Sequence, residues 1–379
     1  MFIRKSVTAL LMAAATAAGL SAAPPYYDRW ETFSVDNGLP SNKVMCVLAV
    51  QDTVWVGTDH GLAVQADGKW TILTHEDGLA HDVIMALAED PETGDMWIAT
   101  MGGLTRYSAG RIDSWDQFNS ALVNNVVYGV VAHRGEIWAA TTAGVSRYEI
   151  ANDSWTVYDE TSAPMHEVWC YGVTASKDIV YVAVWGGGLL EFSLESEHWK
   201  HYRDPDGEME IDLFRNDGIV HDIVTGVSVD SDERVWVSAY FGLSSYDGRN
   251  WVNFLDHDSP LISNFINNIK TNGRYCWIAT DDGLNATDRE NWWSYRIDSI
   301  TAKGQVTWQS AEGAEEQFTT ETIFPHNFIL GISFQGDNIW VATEKGLGKG
   351  RLSTATKEEA SRPPIGKAEN TSDNPDGSR

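Results

Sequence analysis

The segment WVGTDHGL (residues 55–62) decides the fold, because six further segments of this chain repeat its pattern. Each begins with a large aromatic residue, continues with apolar and small residues, and ends in a glycine followed by an apolar residue. The other copies are WIATMGGL (97–104), WAATTAGV (138–145), YVAVWGGGL (181–189), WVSAYFGL (236–243), WIATDDGL (277–284) and WVATEKGL (340–347). Copies that recur every 40 to 60 residues, roughly, indicate a repeat architecture.

A second column of tryptophans divides the chain in the same way. Its members are Trp30, Trp70, Trp115, Trp155, Trp199, Trp251 and Trp292. An apolar run precedes each copy of the first segment, at residues 44–50, 84–88, 127–132, 170–175, 224–229, 266–269 and 329–334. Each repeat therefore predicts four short strands, named a to d here in chain order. The predicted fold class is all-β, with a single seven-bladed β-propeller.

The two ends of the repeat array differ from its middle. The last repeat ends near Leu352 without a tryptophan strand, whereas the strand that begins at Trp30 has no repeat before it. We therefore predict that the N-terminal strand completes the last blade and closes the ring, which removes exposed sheet edges. The recurrent glycine between strands b and c predicts tight turns with positive φ.

The N-terminal residues are typical of an export signal. Arg4 and Lys5 precede an apolar run at residues 7–18 and a region of small residues at 19–23. The run is too short to span a membrane as a helix. We expect a signal peptide at 1–22, a propeller at 23–352, and a disordered tail at 353–379 that is poor in large apolar residues. The protein is then soluble, without membrane insertion, and periplasmic or secreted.

The composition narrows the classes of partner. Acidic residues outnumber basic ones by 54 to 27, which gives a formal net charge of −27. Such a surface repels nucleic acid and anionic lipid. The three cysteines, Cys46, Cys170 and Cys276, fit neither a disulfide framework nor a zinc-binding spacing. A closed propeller needs no second copy to bury its core, so we expect a monomer.

Two stretches, at residues 31–64 and 71–107, resemble the two-component regulator propeller repeat. That repeat combines W-x-x-[FY], D-G-L-P-x-N-x-V and W-[IV]-[GA]-T-x-x-G-L. Blade 4 departs from it by Tyr181 and Val184. In the family, such propellers often form the periplasmic ligand-sensing part of hybrid sensor kinases, followed by an immunoglobulin-like domain, a membrane helix and a kinase. The resemblance therefore implies an extracytoplasmic recognition module rather than signalling by this chain alone.

In this strand order the d–a loops and the b–c turns share one face, called the upper face here, around the mouth of the central channel. Two polar columns precede strand a on that face. The first is Ser41, His81, Asn124, Glu167, His221, Ser263 and His326, and the second is Asn42, Asp82, Asn125, Val168, Asp222, Asn264 and Asn327. Short polar side chains of this kind commonly bond the turn in which they lie.

Two other uses of these columns remain open at the level of sequence. The polar members of the second column are candidate ligand-binding residues. His81, Glu167, His221 and His326 are candidate ligands of a divalent metal, which requires three or four of them to meet at one point. Otherwise no cofactor is expected, because no P-loop, dinucleotide fingerprint, haem motif or HExxH motif occurs in the sequence.

Aromatic residues outside the repeat columns give a separate candidate site. Trp169 precedes strand a of blade 4, Trp185 occupies its b–c turn, and Tyr240 and Phe241 occupy that turn of blade 5. Exposed aromatic residues are typical anchors for sugars, peptides and proteins. Packing between loops is the competing interpretation. Long loops at 203–218 and 297–324 are expected on the same face, where they could form the wall of a pocket.

Three functional hypotheses follow from these features. The first is an exported, non-catalytic recognition module that binds a small molecule, glycan, peptide or envelope protein on the upper face. The second is a propeller enzyme or metalloprotein that uses the His, Asp and Glu side chains at the channel mouth. Against it, the strand b motif differs from the W-F-T-E repeat of streptogramin lyases. The third is a scaffold subunit of an envelope complex.

Overall fold

The structure is a computed structural model that describes residues 26–207 and 214–353. These residues contain thirty strands in seven antiparallel sheets. Blade 1 contains β2 (Val44–Val50), β3 (Thr53–Thr58), β4 (Gly61–Ala66) and β5 (Lys69–Leu73). Blade 2 contains β6 (Ile84–Glu89), β7 (Met96–Thr100), β8 (Gly103–Ser108) and β9 (Arg111–Trp115). Blade 3 contains β10 (Val127–His133), β11 (Glu136–Thr141), β12 (Gly144–Glu149) and β13 (Ser154–Tyr158).

The remaining blades follow the same order, with additions at blades 6 and 7. Blade 4 contains β14 (Cys170–Ser176), β15 (Ile179–Val184), β16 (Gly188–Ser193) and β17 (His198–Tyr202). Blade 5 contains β18 (Val224–Val229), β19 (Val235–Ala239), β20 (Gly242–Tyr246) and β21 (Trp251–Phe254). Blade 6 contains β22 (Ile266–Asn272), β23 (Tyr275–Thr280), β24 (Gly283–Thr287), β25 (Asn291–Ile297), β26 (Gly304–Ser310) and β27 (Glu315–Thr320). Blade 7 contains β28 (Ile329–Gln335), β29 (Asn338–Thr343), β30 (Gly346–Leu352) and β1 (Tyr27–Phe33).

The seven-bladed propeller predicted from the repeats is confirmed. The inner strands β2, β6, β10, β14, β18, β22 and β28 contact one another in cyclic order, and β28 contacts β2. β1 pairs antiparallel with β30, so that Trp30 lies opposite Gly350. The first strand of the described residues is thus the outer strand of blade 7. Two 3₁₀ turns, Val35–Asn37 and His75–Asp77, begin the d–a loops of blades 1 and 2.

The W-[IV]-[GA]-T-x-x-G motif folds as a hairpin for local reasons. In blade 3 the Thr141 hydroxyl donates to the carbonyl oxygen of Gly144 at 2.8 Å and accepts from the Ala143 N–H at 3.1 Å. Gly144 has a φ of +114°, and a Cβ there would lie 2.3 Å from the carbonyl oxygen of Tyr158. Only glycine suits both the left-handed backbone and this close approach. The predicted positive φ occurs at the corresponding glycine of all seven blades.

The core lies between the blades, where each sheet is covered on both faces. The strand b tryptophans Trp97, Trp138 and Trp236 are fully buried, and Trp138 stacks on Tyr158 with ring centroids 5.6 Å apart. Close to the axis, a Cβ on Gly129 would lie 3.1 Å from the Cα of Gly172 in the next blade. The small residues therefore allow the inner strands to converge.

The predicted loop at 297–324 differs from expectation. Its segments at 304–310 and 315–320 form an extra hairpin, β26 and β27, which extends the outer edge of blade 6 instead of lining the upper face. Trp308 of the hairpin lies opposite Trp293, and both are buried. Tyr26 packs on this hairpin, with its ring 4.4 Å from that of Phe318. Two of the tryptophans outside the repeat columns therefore belong to the core.

The predicted signal peptide and the predicted tail, apart from Ser353, lie outside the described residues, as do residues 208–213 of the other long loop. Residues 26–353 form one unit. In the described part of the chain, no helix is long and apolar enough to cross a membrane.

Candidate functional site

Backbone hydrogen bonds place the b–c turns beside the d–a loops. The Gly61 N–H of blade 1 donates to the carbonyl oxygen of Asp82 in blade 2 at 2.7 Å, and Gly144 bonds Val168 of the next blade at 2.8 Å. The same bond links Gly188 to Asp222. The upper face is therefore built from turns and loops that alternate around the axis.

The second polar column holds the d–a loops in place by hydrogen bonds. In six blades its Asn or Asp oxygen accepts from a backbone N–H at the end of strand d or shortly after it. The bonds join Asn42 to Val35 (2.9 Å), Asp82 to His75 (2.7 Å), Asn125 to Gln117 (2.8 Å), Asp222 to Asp204 (2.8 Å), Asn264 to Asp256 (2.8 Å) and Asn327 to Ile297 (2.8 Å). The turn-bonding interpretation thus accounts for these six residues, which the sequence had also offered as ligand-binding candidates.

Side-chain partners reinforce two of these hydrogen bonds. The Asp82 carboxylate lies 2.6 Å from Nδ1 of His75. Asp222 is only 1 % exposed, and its carboxylate accepts from Nε of Arg203 at 2.9 Å. A carboxylate buried and bonded in this way is poorly placed to meet a ligand from solvent.

The histidines of the first polar column bond their own turns. The Nδ1 atom accepts from the N–H two residues later in His81 (2.9 Å), His221 (3.0 Å) and His326 (3.1 Å). The ring of His221 is buried and lies 4.7 Å from that of Phe241.

The proposed metal ligands His81, Glu167, His221 and His326 do not converge. Across residues 26–207 and 214–353, no group of three or more His, Cys, Asp or Glu side chains could hold a metal ion. The three histidines instead each use Nδ1 for a hydrogen bond within their own turn. The metal hypothesis therefore has no geometric support.

The aromatic candidates form a continuous patch across blades 3 to 6. We call this patch the aromatic surface, and it consists of Tyr128, Trp169, Tyr171, Trp185, Tyr240, Phe241 and Phe265. Neighbouring ring centroids are separated by 4.7 Å (Tyr128–Tyr171), 5.4 Å (Tyr171–Trp185), 6.1 Å (Trp169–Trp185), 5.7 Å (Trp185–Tyr240), 5.2 Å (Tyr240–Phe241) and 4.9 Å (Tyr240–Phe265). The structure thus brings together all four aromatic residues that the sequence singled out.

The aromatic surface remains partly open to solvent. Trp169 is 41 % exposed, and Tyr240 and Phe265 are each 39 % exposed. Trp185 is half-buried, and its backbone N–H donates to the carbonyl oxygen of Trp169 at 2.9 Å. The two tryptophans are therefore held by the backbone and by each other, while part of the aromatic surface stays open to solvent.

The central channel opens beneath the aromatic surface. Each inner strand carries a register irregularity next to its second residue. The second residues all line the channel, and they are Met45, Met85, Tyr128, Tyr171, Thr225, Asn267 and Leu330. A bulge re-aims a side chain. The channel encloses about 310 Å³, and Trp185 and Tyr240 also line it.

Three aromatic residues of the surface were not predicted from the sequence. Tyr128 and Tyr171 lie inside the predicted inner strands, where an aromatic residue is expected in the core. Phe265 immediately precedes strand β22. An alignment of the second positions of the inner strands, which places Tyr128 and Tyr171 beside Met45 and Met85, is the signal that could have identified them.

No protein-family model and no curated protein matches this chain. Solved structures with the same fold include the extracellular domains assigned to two signalling systems of B. thetaiotaomicron. One belongs to a hybrid two-component system, with a TM-score of 0.63 at 18% identity over 87% of this chain. The other belongs to a one-component system, with a TM-score of 0.61 at 17% identity over 86% of this chain. The chain spans 42% and 40% of these domains.

An enzyme is also among the similar folds. Virginiamycin B lyase from Staphylococcus aureus has a TM-score of 0.60 at 15% identity, and the match covers 86% of this chain and 99% of the lyase. At such low identity, both kinds of likeness concern the fold alone. The propeller fold implied by the two-component regulator resemblance is confirmed, and function has to be argued from the upper face.

Proposed function

We propose that this protein is an extracytoplasmic recognition module that binds its ligand on the aromatic surface of the upper face, without catalysing a reaction. The observation that supports this most directly is the run of contacting rings from Tyr128 to Phe265, because it is both partly exposed and continuous with a channel. Flat rings at the mouth of a cavity favour ligands with a ring of their own, such as a sugar or an aromatic group.

Three further observations support recognition over chemistry. The Asn and Asp side chains of the second polar column are engaged in loop hydrogen bonds, as Asn42 and Asp82 illustrate. The neighbours from B. thetaiotaomicron are extracellular domains of signalling systems. Arg4 and Lys5 followed by an apolar run are consistent with export of this chain.

The test is a thermal-shift screen of the protein against oligosaccharides and peptides, because a ligand that binds only the folded state stabilises it by about RT ln(1 + [L]/Kd). We expect Trp185→Ala and Tyr240→Ala to weaken binding of any hit by about tenfold or more. Phe118→Ala is the matched control, since Phe118 is an exposed aromatic residue, at 92 %, outside the aromatic surface.

Two outcomes bear on the proposal. A hit that requires Trp185 and Tyr240 but not Phe118 supports it. A hit that binds both aromatic variants as tightly as the original protein contradicts it, because the ligand site then lies elsewhere.

A further inference from the structure

The central channel contains one charged side chain among the described residues that line it, that of Lys270 on β22. The other described lining residues are apolar or neutral, and they include no Asp or Glu. In a protein with 54 acidic residues, a channel lined by a cation and no carboxylate is a marked local reversal of charge.

Blade 6 supplies this polarity because its inner strand, INNIKTN, departs from the other six. At the position of Lys270 the other blades carry Leu48, Ala88, Val131, Thr174, Ser228 and Ser333. At the position of Asn268 they carry Cys46, Ala86, Gly129, Gly172, Gly226 and Gly331. Asn268 also lines the channel, is exposed to it, and makes no side-chain hydrogen bond with the described residues.

The ammonium group of Lys270 has no counter-charge among residues 26–207 and 214–353. Other lysines of the chain form ion pairs, such as Lys177 with Glu233 at 3.0 Å and Lys303 with Glu321 at 2.7 Å. Lys270 forms none with the described residues. Its side chain is exposed where it lines the channel, and desolvation by the surrounding protein lowers the pKa of its amine. An anion beside it would supply a counter-charge and offset this desolvation.

We propose that the channel is an anion-binding subsite, in which Lys270 and Asn268 hold the negatively charged end of an extended ligand whose ring stacks on the aromatic surface. This inference rests on the proposed function and specifies its ligand class. The charged end is a carboxylate or a sulfate, since both accept charge-assisted hydrogen bonds from an ammonium group and from an amide N–H.

The geometry sets the length of such a ligand. Tyr171 and Asn267 occupy equivalent positions in their inner strands, and Lys270 follows Asn267 by three residues. At a rise of about 3.3 Å per residue, Lys270 lies about 10 Å further along the channel than Asn267. The same distance separates it from the level of Tyr171, because Tyr171 and Asn267 are equivalent. A ring and an anion separated by a short flexible chain can therefore reach both groups.

The test uses calorimetric titration with a matched set of probes. 6-Phenylhexanoate carries a carboxylate, 6-phenylhexanamide replaces it by a neutral amide, and 5-phenylpentyl sulfate carries a sulfate. We expect the anionic probes to bind with an affinity at least about tenfold higher than that of the amide. Lys270→Met should reduce their affinity to that of the amide, whereas Lys270→Arg should retain the preference for anions. Lys69→Met, on the exposed outer strand β5, is the control.

The outcomes separate this inference from the proposed function. If carboxylate and amide bind the original protein equally, or if Lys270→Met leaves the anionic preference unchanged, the anion subsite is refuted while ring binding at the aromatic surface stands. If Tyr171→Ala weakens all three probes, the proposed function is supported independently of Lys270. If no probe binds the original protein, the anion subsite is also refuted, and the ligand screen alone decides the proposed function.

Discussion

The b–c turns of blades 1, 2, 3, 6 and 7 contain a threonine that those of blades 4 and 5 lack. In blade 1, Thr58 donates to the Gly61 carbonyl at 2.8 Å and accepts from the His60 N–H at 3.1 Å, and the other four turns repeat both bonds. Val184 and Ala239 replace the threonine in blades 4 and 5.

This difference separates the turns that maintain the ring from those that present a surface. Where the threonine is absent, the next residue is aromatic, Trp185 in blade 4 and Tyr240 in blade 5. The Trp185 backbone pairs with Ile223 of blade 5 in an isolated bridge, so contact with the neighbouring blade holds this turn. Repeat positions are therefore explained by stability, and departures from the repeat mark the candidate site.

The largest expected effect belongs to a repeat tryptophan. Trp138 is fully buried, and its Nε1 donates to Glu136 at 3.0 Å. Trp138→Ala should lower the free energy of unfolding by about 3–5 kcal/mol, because it opens a cavity between blades. Equilibrium denaturation measures this, with Phe118→Ala as the exposed control. Equal stability of the two variants would contradict the conclusion that repeat positions stabilise the fold.

A smaller loss is expected at the turn glycines, which both kinds of turn share. A Cβ on Gly144 or on Gly188 would lie 2.3 Å from a backbone oxygen, of Tyr158 or Tyr202 respectively. Each glycine-to-alanine change should cost about 1–3 kcal/mol, because the positive φ and the steric overlap act together. Gly94→Ala, with nothing within 4 Å of the added Cβ, should cost less by the same denaturation measurement. Tolerance of alanine at Gly188 alone would show that blade 4 uses a different backbone.

The turn threonine itself should contribute less than the glycine. Thr141→Val keeps the shape of the side chain but removes both hydrogen bonds, which should cost about 1–2 kcal/mol. The reverse change in blade 4, Val184→Thr, should not stabilise, since that turn has one more residue than the others. Denaturation curves of the two variants provide the comparison, and a gain in stability for Val184→Thr would argue that the two kinds of turn are interchangeable.

The smallest effect on stability is expected at the aromatic surface. Because Trp169 is 41 % exposed, Trp169→Ala should change the free energy of unfolding by less than about 1 kcal/mol. Ligand affinity measured on the same sample should fall instead. A large loss of stability with unchanged affinity would return Trp169 to the role of loop packing.

Most of the fold could be predicted from sequence, because it depends on local patterns that recur seven times. The apolar runs, the strand b tryptophans and the turn glycines each describe a single blade. Because each pattern recurs seven times, the strand assignment does not depend on any one copy. The candidate site was predicted only in part. Trp169, Trp185, Tyr240 and Phe241 were visible as departures from the repeat. The direction of the Tyr171 ring depends on a bulge, which only a comparison of all seven inner strands could have suggested.

For the polar residues of the upper face, the sequence suggested a metal site that the structure does not support. His81, His221 and His326 carry the side chains that a metal site requires, yet each ring bonds its own turn. Residue type and column position cannot distinguish a histidine that binds a metal from one that bonds its own turn, because both require a histidine at the same place in the loop.

The sequence by itself determined the number of blades, the order of strands, the tight turns and the acidic character of the chain. These properties follow from residue periodicity and composition, which need no knowledge of distant contacts. Only the tertiary structure decided that rings from four blades form one surface and that the polar columns hold the loops in place. It also decided that Lys270 lies at a channel whose described lining contains no carboxylate. Residues such as Tyr128 and Phe265 are far apart in the chain, and closure of the ring brings them to one mouth.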